Sequence, residues 1–235
     1  MKPVISFWSL VGALLLALLV FDVSDWDMRV QSALYDVATH RWWLDGDAYW
    51  PKLVFYDGIK RVLIALMAGI FLLLLGAWRK PWLLPWRRGL LIVLLSGIVV
   101  PSVVASLKAV TNTACPRDVT AFNGSVAYVK AFERYAPDQR PTRAQKCLPA
   151  AHASAGFALF GLLYLCGNRR QQYRVAAAVL ALGWVMGTYK MLIGDHFLSH
   201  TVISMLLSAL LVRLIALAVD GVGRYQWNTR VDKKG

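Results

Sequence analysis

The chain has 235 residues, of which 58% are hydrophobic and 17% are charged, and its mean hydropathy is +0.51. This balance lies outside that of ordinary water-soluble domains, and it excludes disordered, collagen-like and coiled-coil classes. The 26 Lys and Arg residues outnumber the 13 Asp and Glu residues, for a net charge of +13. In a membrane protein this surplus is typical of cytoplasmic loops and of contacts with anionic lipid headgroups, so we expect no nucleic-acid partner.

Six apolar runs approach the length of a membrane-spanning helix, which is about 20 residues for a bilayer core of roughly 30 Å. They cover residues 5–21, 62–78, 89–107, 153–166, 175–193 and 200–219. The first run is followed by Asp22 without a small-residue cleavage site, so we interpret it as a retained helix rather than a signal peptide. The sequence therefore predicts an all-α polytopic membrane protein, a single domain over 1–235 with six transmembrane helices.

Basic residues in the short loops predict the orientation of these helices. The loops after the second and fourth runs contain no acidic residue and carry Arg79, Lys80, Arg87 and Arg88, then Arg169, Arg170 and Arg174. The chain ends agree, with Lys2 at one end and Arg224, Arg230, Lys233 and Lys234 at the other. We therefore expect both termini in the cytoplasm, and segments 22–61, 108–152 and the turn around Gly194 on the opposite face.

Two segments on this opposite face have an unusual composition. Segment 22–61 holds seven Asp residues and several Trp and Tyr residues, so we expect an amphipathic stretch in the membrane interface that shapes a lipid entrance. Segment 108–152 has seven Lys and Arg residues against three acidic ones. Loops on the non-cytoplasmic face normally carry few Lys and Arg residues, so this positive surplus favours an anionic substrate. The alternative is a solvated loop without a binding role.

Three clusters of ionisable residues lie where apolar runs meet this face, at 108–118, 149–154 and 190–200. Ionisable residues within a membrane are costly and by default mark a functional site. Each cluster also has a structural interpretation, in which Lys108 extends its ammonium to the interface and His152 is an ordinary hydrogen-bonded histidine. His196 and His200 stand four residues apart, as helical metal ligands do, but two ligands alone make a weak case, so we predict no metal.

The clusters resemble the three motifs of the type 2 phosphatidic acid phosphatase (PAP2) superfamily, K-x6-R-P, P-S-G-H and S-R-x5-H-x3-D. Residues 108–116 match the first motif, with the lysine present and Cys-Pro in the R-P position. Residues 149–152 match the second motif with two alanines in the middle, and residues 190–200 match the third with Lys190 for Arg and His200 for Asp. These variants are most similar to a bacterial inner-membrane branch of the superfamily.

The resemblance implies a PAP2-type helical bundle and metal-independent hydrolysis of a phosphomonoester or pyrophosphate, without a cofactor, through a phosphohistidine. In that interpretation His196 attacks phosphorus and His152 protonates the leaving oxygen, while Lys108 and Lys190 hold the nonbridging oxygens. Imidazole suits both tasks because it is a nucleophile and a proton donor near neutral pH. The expected substrate contacts also include Arg117 and Ser154.

Two substitutions set the third motif apart from the family pattern, and their effect on activity stays open. In the family an aspartate orients the nucleophilic histidine, and here His200 takes that place as a neutral acceptor, which stabilises a developing imidazolium less than a carboxylate does. Asp195 or Asp118 is a candidate source of the missing negative charge. Lys190 in place of Arg keeps a point charge but loses the bidentate fork to phosphate, and Arg117 is the candidate replacement.

Cys115 and Cys147 fall in the same outward loop, each beside a motif. In an oxidising compartment such as the periplasm we expect them to form a disulfide worth about 3 kcal/mol, whereas a reducing compartment would keep two free thiols. Cys166 is expected to be unpaired.

Together these features predict a lipid phosphatase of the bacterial inner membrane, with a periplasmic site that the substrate enters from the bilayer. The resemblance suggests phosphatidylglycerol phosphate, phosphatidate, undecaprenyl pyrophosphate or lipid A as the substrate. The alternatives are a phosphotransferase with the same site, a degenerate protein that binds lipid phosphate without turnover, and a transporter. A transporter more naturally carries charged residues near the centres of its spans. The oligomeric state stays open.

Overall fold

The computed structural model describes the backbone of residues 6–231 and the side chains of residues 6–222. Of the residues used to predict the orientation, Lys2, Lys233 and Lys234 lie outside this range, as do the side chains of Arg224 and Arg230. The helices in chain order are α1 (Phe7–Val23), α2 (Trp26–Ser32), α3 (Tyr49–Pro51), α4 (Ile59–Gly76), α5 (Arg87–Val110), α6 (Ala151–Phe157), α7 (Arg169–Leu192) and α8 (Leu198–Val231).

Shorter elements extend or connect these helices. A π-helical segment, Lys52–Gly58, joins α3 to α4, and a 3-10 segment, Ala158–Leu165, continues α6. Another 3-10 segment, Pro81–Trp86, leads into α5. Strands β1 (Tyr35–Asp36) and β2 (Arg41–Trp42) form a small antiparallel hairpin. The chain is thus predominantly helical, as predicted.

Four helical stretches are long and apolar enough to cross a membrane: Tyr49–Gly76, Pro81–Val110, Arg169–Leu192 and Leu198–Val222. A fifth is added if α1 and α2, which meet at 70°, are counted as one broken span. The fourth predicted run forms only the shorter apolar stretch Ala151–Leu165. By length and composition the described residues thus form four or five full-length spans, and the count of six stays a prediction, because the fourth run is 15 residues long and about half of it is 3-10 helix.

The interior of the bundle forms around α6 and its 3-10 continuation, which pack against α5, α7 and α8. Phe157 is fully buried in this core. Gly156 on α6 lies against the backbone of Gly183 on α7, and a Cβ at Gly183 would overlap the Phe157 ring. Two glycines thus let α6 approach α7 closely, and this approach sets the position of the first turn of α6, where His152 lies.

The loops between α5 and α6 form a second, smaller apolar cluster with the hairpin and with Phe197, which precedes α8. In addition, Asp27 of α2 accepts hydrogen bonds from the backbone N–H of Ser199, at 2.8 Å, and from its hydroxyl, at 2.5 Å. A carboxylate at the start of a helix satisfies an otherwise unpaired N–H and interacts favourably with the helix dipole. Segment 22–61 therefore fixes the start of α8, a role that the sequence did not predict.

Candidate active site

The turn from α7 to α8 has a compact conformation that requires glycine. Gly194 has φ +75°, and a Cβ at this position would overlap the Trp42 indole. The backbone N–H groups of Asp195 and His196 both donate to the carbonyl of Lys190, at 2.8 and 3.2 Å. These bonds hold the turn between Lys190 and His196, and the Trp42 indole packs against Gly194.

His196 and His200 form a buried pair, with exposed fractions of 3% and 1%. Their Nδ1 atoms are 3.4 Å apart, and a hydrogen bond between them requires that one of the two nitrogens carries a proton. The resemblance to the third motif predicts that His200 orients His196, and this is the contact through which it would do so. Burial, then His200, then the positive charges of Lys108 and Lys190 lower the pKa of His196 well below its ordinary value. The imidazole of His196 is consequently neutral at neutral pH.

Asp195 brings two cations of the predicted site together. Its carboxylate accepts a hydrogen bond from Lys190 Nζ at 2.6 Å and forms an ion pair with the guanidinium of Arg117. The backbone N–H of Arg117 also donates to the carbonyl of Gly194 at 3.0 Å. The Asp195 carboxylate therefore pairs with Lys190 and Arg117, whereas the imidazole of His200 is among the groups that contact the Nδ1 atom of His196.

His152 lies on the first turn of α6 and contacts a residue that the sequence did not single out. Its ring stacks on Tyr56, with centroids 4.5 Å apart and planes inclined by 28°. The Lys190 ammonium lies 4.6 Å from the centre of the same Tyr56 ring, a cation–π contact. Tyr56 thus links the second motif to the third. No motif or periodic pattern marks it, because it belongs to a segment that matched nothing in the family.

The first two motifs are joined by the predicted disulfide, Cys115–Cys147. The backbone N–H of Cys147 donates to the carbonyl of Thr113 at 3.0 Å, and the Thr111 hydroxyl donates to the carbonyl of Leu148 at 2.5 Å. The Cys147 sulfur also lies 3.4 Å from His196 Nδ1. The predicted pairing is confirmed, and Cys166 is a free cysteine, also as predicted.

The remaining predicted residues occupy different surroundings. Lys108 lies in the last turn of α5 and is half-buried, and it is close enough to His196 to influence its pKa. Ser154 is fully buried, and its hydroxyl donates to the carbonyl of Ala151 at 2.7 Å. The Ser154 hydroxyl thus has a partner inside its own helix.

Cys147, His196 and His200 are close enough to hold a metal ion, with their candidate ligand atoms within 4.8 Å of one another. The Cys147 sulfur is bonded to Cys115, however, and a disulfide sulfur does not supply the thiolate that such a site uses. With the disulfide formed, the group offers two imidazoles, which are too few for a structural zinc site.

The three clusters follow one another in the chain and meet at one end of the bundle. A comparison of the chain with protein-family models agrees with this arrangement. The model of the PAP2 superfamily matches residues 89–224. The chain belongs to the PAP2 superfamily. Proteins of this superfamily are phosphatases that act on phosphate esters, often those of lipids, and they are generally metal-independent. No curated protein and no solved structure matched the chain.

The family match begins at the start of α5 and includes all three motifs, so the resemblance predicted from Lys108, His152 and His196 is confirmed at the level of the superfamily. Segment 22–61, which contributes Asp27, Trp42 and Tyr56 to the surroundings of the site, precedes the matched range. The roles of individual residues in this PAP2 protein stay predictions.

Proposed function

We propose that this protein is a membrane-embedded lipid phosphatase that works through a phosphohistidine on His196. The observation that carries the proposal is the buried pair of His196 and His200, with Lys190 and Arg117 held beside it by Asp195. A neutral, oriented imidazole next to fixed cations is what phosphoryl transfer requires, since catalysis consists largely of positioning and of stabilising charge on the equatorial oxygens.

In the first step, Nε2 of His196 attacks phosphorus while the bond from phosphorus to the leaving oxygen breaks. With the anionic phosphate bound beside it, His152 is protonated and donates its proton to that oxygen, and the shared proton of the pair lets His200 stabilise the charge that develops on His196. In the second step, His152 accepts a proton from water, which attacks phosphorus and breaks the phosphorus–nitrogen bond. Inorganic phosphate then leaves, and both histidines return to their starting states.

The substrate phosphate competes with the Asp195 carboxylate for the same cations. Lys190 and Arg117 are the proposed ligands of its nonbridging oxygens, together with Lys108. Asp195 keeps Lys190 and Arg117 within reach of each other while the site is empty, which avoids leaving two unpaired cations side by side. This arrangement gives Arg117 the role of the arginine that the third motif lacks, although Arg117 comes from the first motif.

We further propose six membrane crossings with both termini in the cytoplasm and the histidine pair on the periplasmic face of an inner membrane. The short stretch Ala151–Leu165 supports a crossing because a 3-10 helix rises about 2.0 Å per residue against 1.5 Å in an α-helix. Seven α-helical and eight 3-10 residues then extend about 26 Å, close to the bilayer core of roughly 30 Å. The basic loops 79–88 and 167–174 support the orientation.

Exposed aromatic side chains at both ends of the bundle support a position within a bilayer. One group lies on the side of the histidine pair and the other beside the basic loop 79–88, and both consist of rings that are 48% exposed or more: Trp26, Trp43, Tyr49 and Trp50, then Trp78, Trp82 and Trp86. Aromatic rings of this kind concentrate at the two membrane–water interfaces. The substrate class is a lipid phosphate or pyrophosphate, of the types that the sequence resemblance suggests.

The test is phosphate release by the purified full chain in detergent with EDTA, measured over a panel of phosphatidylglycerol phosphate, phosphatidate, undecaprenyl pyrophosphate and lipid A. We expect one lipid to release phosphate in EDTA, and His196→Ala to abolish the release. His40→Asn is the matched control, because His40 is exposed on the hairpin and Asn tolerates its positive φ. Release that persists in His196→Ala would refute the phosphohistidine. Silence over the whole panel, including after addition of acceptor lipids, would favour a binding protein.

A further inference from the structure

A cavity of about 310 Å³ lies among α1, α7, α8 and the 3-10 segment Ala158–Leu165. Most of its wall is apolar, with contributions from Leu10, Phe160, Leu180 and Met205. Arg88, Gln172 and Arg213 add polar groups to the same wall. The volume is in the range of small-molecule sites, and the combination of a long apolar wall with a few cationic and amide groups fits an amphiphile.

The cavity is at the end of the bundle opposite the histidine pair. Arg88 and Gln172 lie in the first turns of α5 and α7, whereas Lys108 and Lys190 lie in the last turns of the same helices. Arg213 is about 20 Å along α8 from His200, at 1.5 Å per residue. The cavity is therefore separate from the phosphatase site, and its ligand is not the substrate in its reactive position.

Two polar groups of the cavity wall lack partners within the part of the chain whose side chains are described. The Nε atom of Arg213 is buried and makes no hydrogen bond there. Gln172 is 5% exposed, and its Oε1 atom is also without a donor, while its Nε2 atom donates weakly to the carbonyl of Leu163 at 3.4 Å. An unsatisfied buried polar group costs free energy, and more so when the group is charged. Both groups are thus prepared for a ligand.

The positive charge of Arg213 in the cavity wall favours an anionic ligand. Arg88 is already neutralised, because its Nε and Nη2 atoms donate to the two oxygens of Asp220 at 2.6 and 2.9 Å. Among the described side chains, Arg213 has no such acidic partner, and it lies within the candidate span Leu198–Val222. A cation at membrane depth requires a counter-ion or access to the interface. The apolar wall beside it is suited to an acyl chain.

We infer that this cavity binds an anionic phospholipid from the leaflet opposite the histidine pair. In the bound state the lipid phosphate accepts hydrogen bonds from Arg213, and an acyl chain lies against the apolar wall formed by Leu10, Phe160 and Leu180. A headgroup hydroxyl, where the lipid has one, donates to Oε1 of Gln172. Phosphatidylglycerol has all three features, and it is a phosphodiester that offers a phosphatase no terminal phosphate.

The experiment uses the full chain in a neutral detergent, with phosphatidylglycerol and phosphatidylcholine of identical acyl chains as probes. Native mass spectrometry counts the lipid retained on the protein. We expect the wild-type chain to retain phosphatidylglycerol with at least about 10-fold higher apparent affinity, which corresponds to about 1.4 kcal/mol. Both lipids carry the phosphate, but the choline cation of phosphatidylcholine cancels the net negative charge that Arg213 would neutralise, and phosphatidylcholine lacks the hydroxyl that donates to Gln172. Arg213→Gln removes this preference, whereas Arg174→Gln, an exposed arginine at the same end but outside the cavity wall, keeps it.

A second variant tests the cavity without changing its charge. Ala209→Phe places a ring in the cavity, and we expect it to lose phosphatidylglycerol while Arg213 is intact. Equal retention of the two lipids by the wild-type chain would overturn the inference. So would an unchanged preference in Arg213→Gln or in Ala209→Phe, or full displacement of the lipid by inorganic phosphate alone, which would indicate an ion site.

Discussion

Tyr56 lies face to face with His152, and the Lys190 ammonium lies over the same Tyr56 ring. One aromatic side chain from the π-helical segment Lys52–Gly58 thus contacts two of the three motifs. Because a π-helical turn is rare and frequently occurs at functional sites, the geometry gives Tyr56 a positioning role. It restrains the imidazole of His152 and holds the ammonium of Lys190 in place.

The positioning role of Tyr56 predicts a difference between two substitutions. Tyr56→Phe keeps the ring and is expected to keep most of kcat. Tyr56→Leu removes both ring contacts and is expected to lower kcat about 10-fold, because a cation–π contact and an aromatic stack are each worth roughly 0.5–1.5 kcal/mol. Steady-state kinetics on one lipid phosphate measure this, with KM changing less than kcat. An equal loss in Tyr56→Phe would instead assign the role to the hydroxyl.

The hydrogen bonds between Asp27 and Ser199 predict that a residue far from α8 in sequence stabilises the start of this helix. Asp27→Asn weakens the hydrogen bonds to Ser199 at the start of α8, and we expect it to destabilise the protein by about 1 kcal/mol, as the loss of a helix cap does. Asp25→Asn is the matched control, because the Asp25 side chain is 68% exposed and its ion pair with Lys130 spans 3.4 Å. Thermal unfolding in detergent compares the two variants. Equal Tm values for both would contradict the capping role.

The disulfide predicts a sensitivity to reductant. Opening Cys115–Cys147 releases a loop with a sequence separation of 32 residues, for which chain entropy gives about 3–4 kcal/mol. We therefore expect a reducing agent, or the double substitution Cys115→Ser with Cys147→Ser, to lower the Tm by several degrees. Cys166→Ser, at the free cysteine, is expected to leave the response to reductant unchanged. A wild-type Tm that does not respond to reductant would contradict the stabilising role.

The lowered pKa of His196 predicts how the stability of the folded chain depends on pH. Its pKa in the folded chain is well below the ordinary value, so on acidification the unfolded chain binds a proton at about pH 6.5 that the folded chain does not. Stability is thus fully present above that value and declines as the pH falls below it. We expect the Tm of the wild-type chain to drop between pH 7 and pH 5, and His196→Asn to show a smaller drop. If the Tm falls equally with pH in the wild-type chain and in His196→Asn, groups other than His196 dominate the pH dependence of stability.

The same shift predicts the acidic side of the activity profile. Protonated imidazole cannot attack phosphorus, and the lowered pKa keeps His196 neutral as the pH falls through its ordinary range. The loss of kcat/KM that arises from His196 is therefore expected below pH 6, measured on one lipid phosphate with the detergent held constant. A loss centred at the ordinary histidine value of about 6.5 would place His196 in a wetter site than the buried one described.

The sequence by itself determined the helical membrane class, the superfamily, the three motifs and the pairing of Cys115 with Cys147. These features depend on local patterns. The apolar runs approach the length needed to cross a bilayer, each motif has a fixed spacing, and each of the two cysteines lies beside one of the motifs. The spacing of His196 and His200 suggested one helix face, but His196 precedes α8, so their contact depends on the turn that leads into this helix.

Only the tertiary structure decided which groups surround these motifs. The carboxylate of Asp195 pairs with Lys190 and Arg117, and Tyr56 and Asp27 reach the site from a segment outside the family match. The stretch Ala151–Leu165 is partly 3-10 helix, which its apolar composition did not predict. Such contacts join residues far apart in sequence, and they depend on how helices pack rather than on any period within one helix. No local pattern records them.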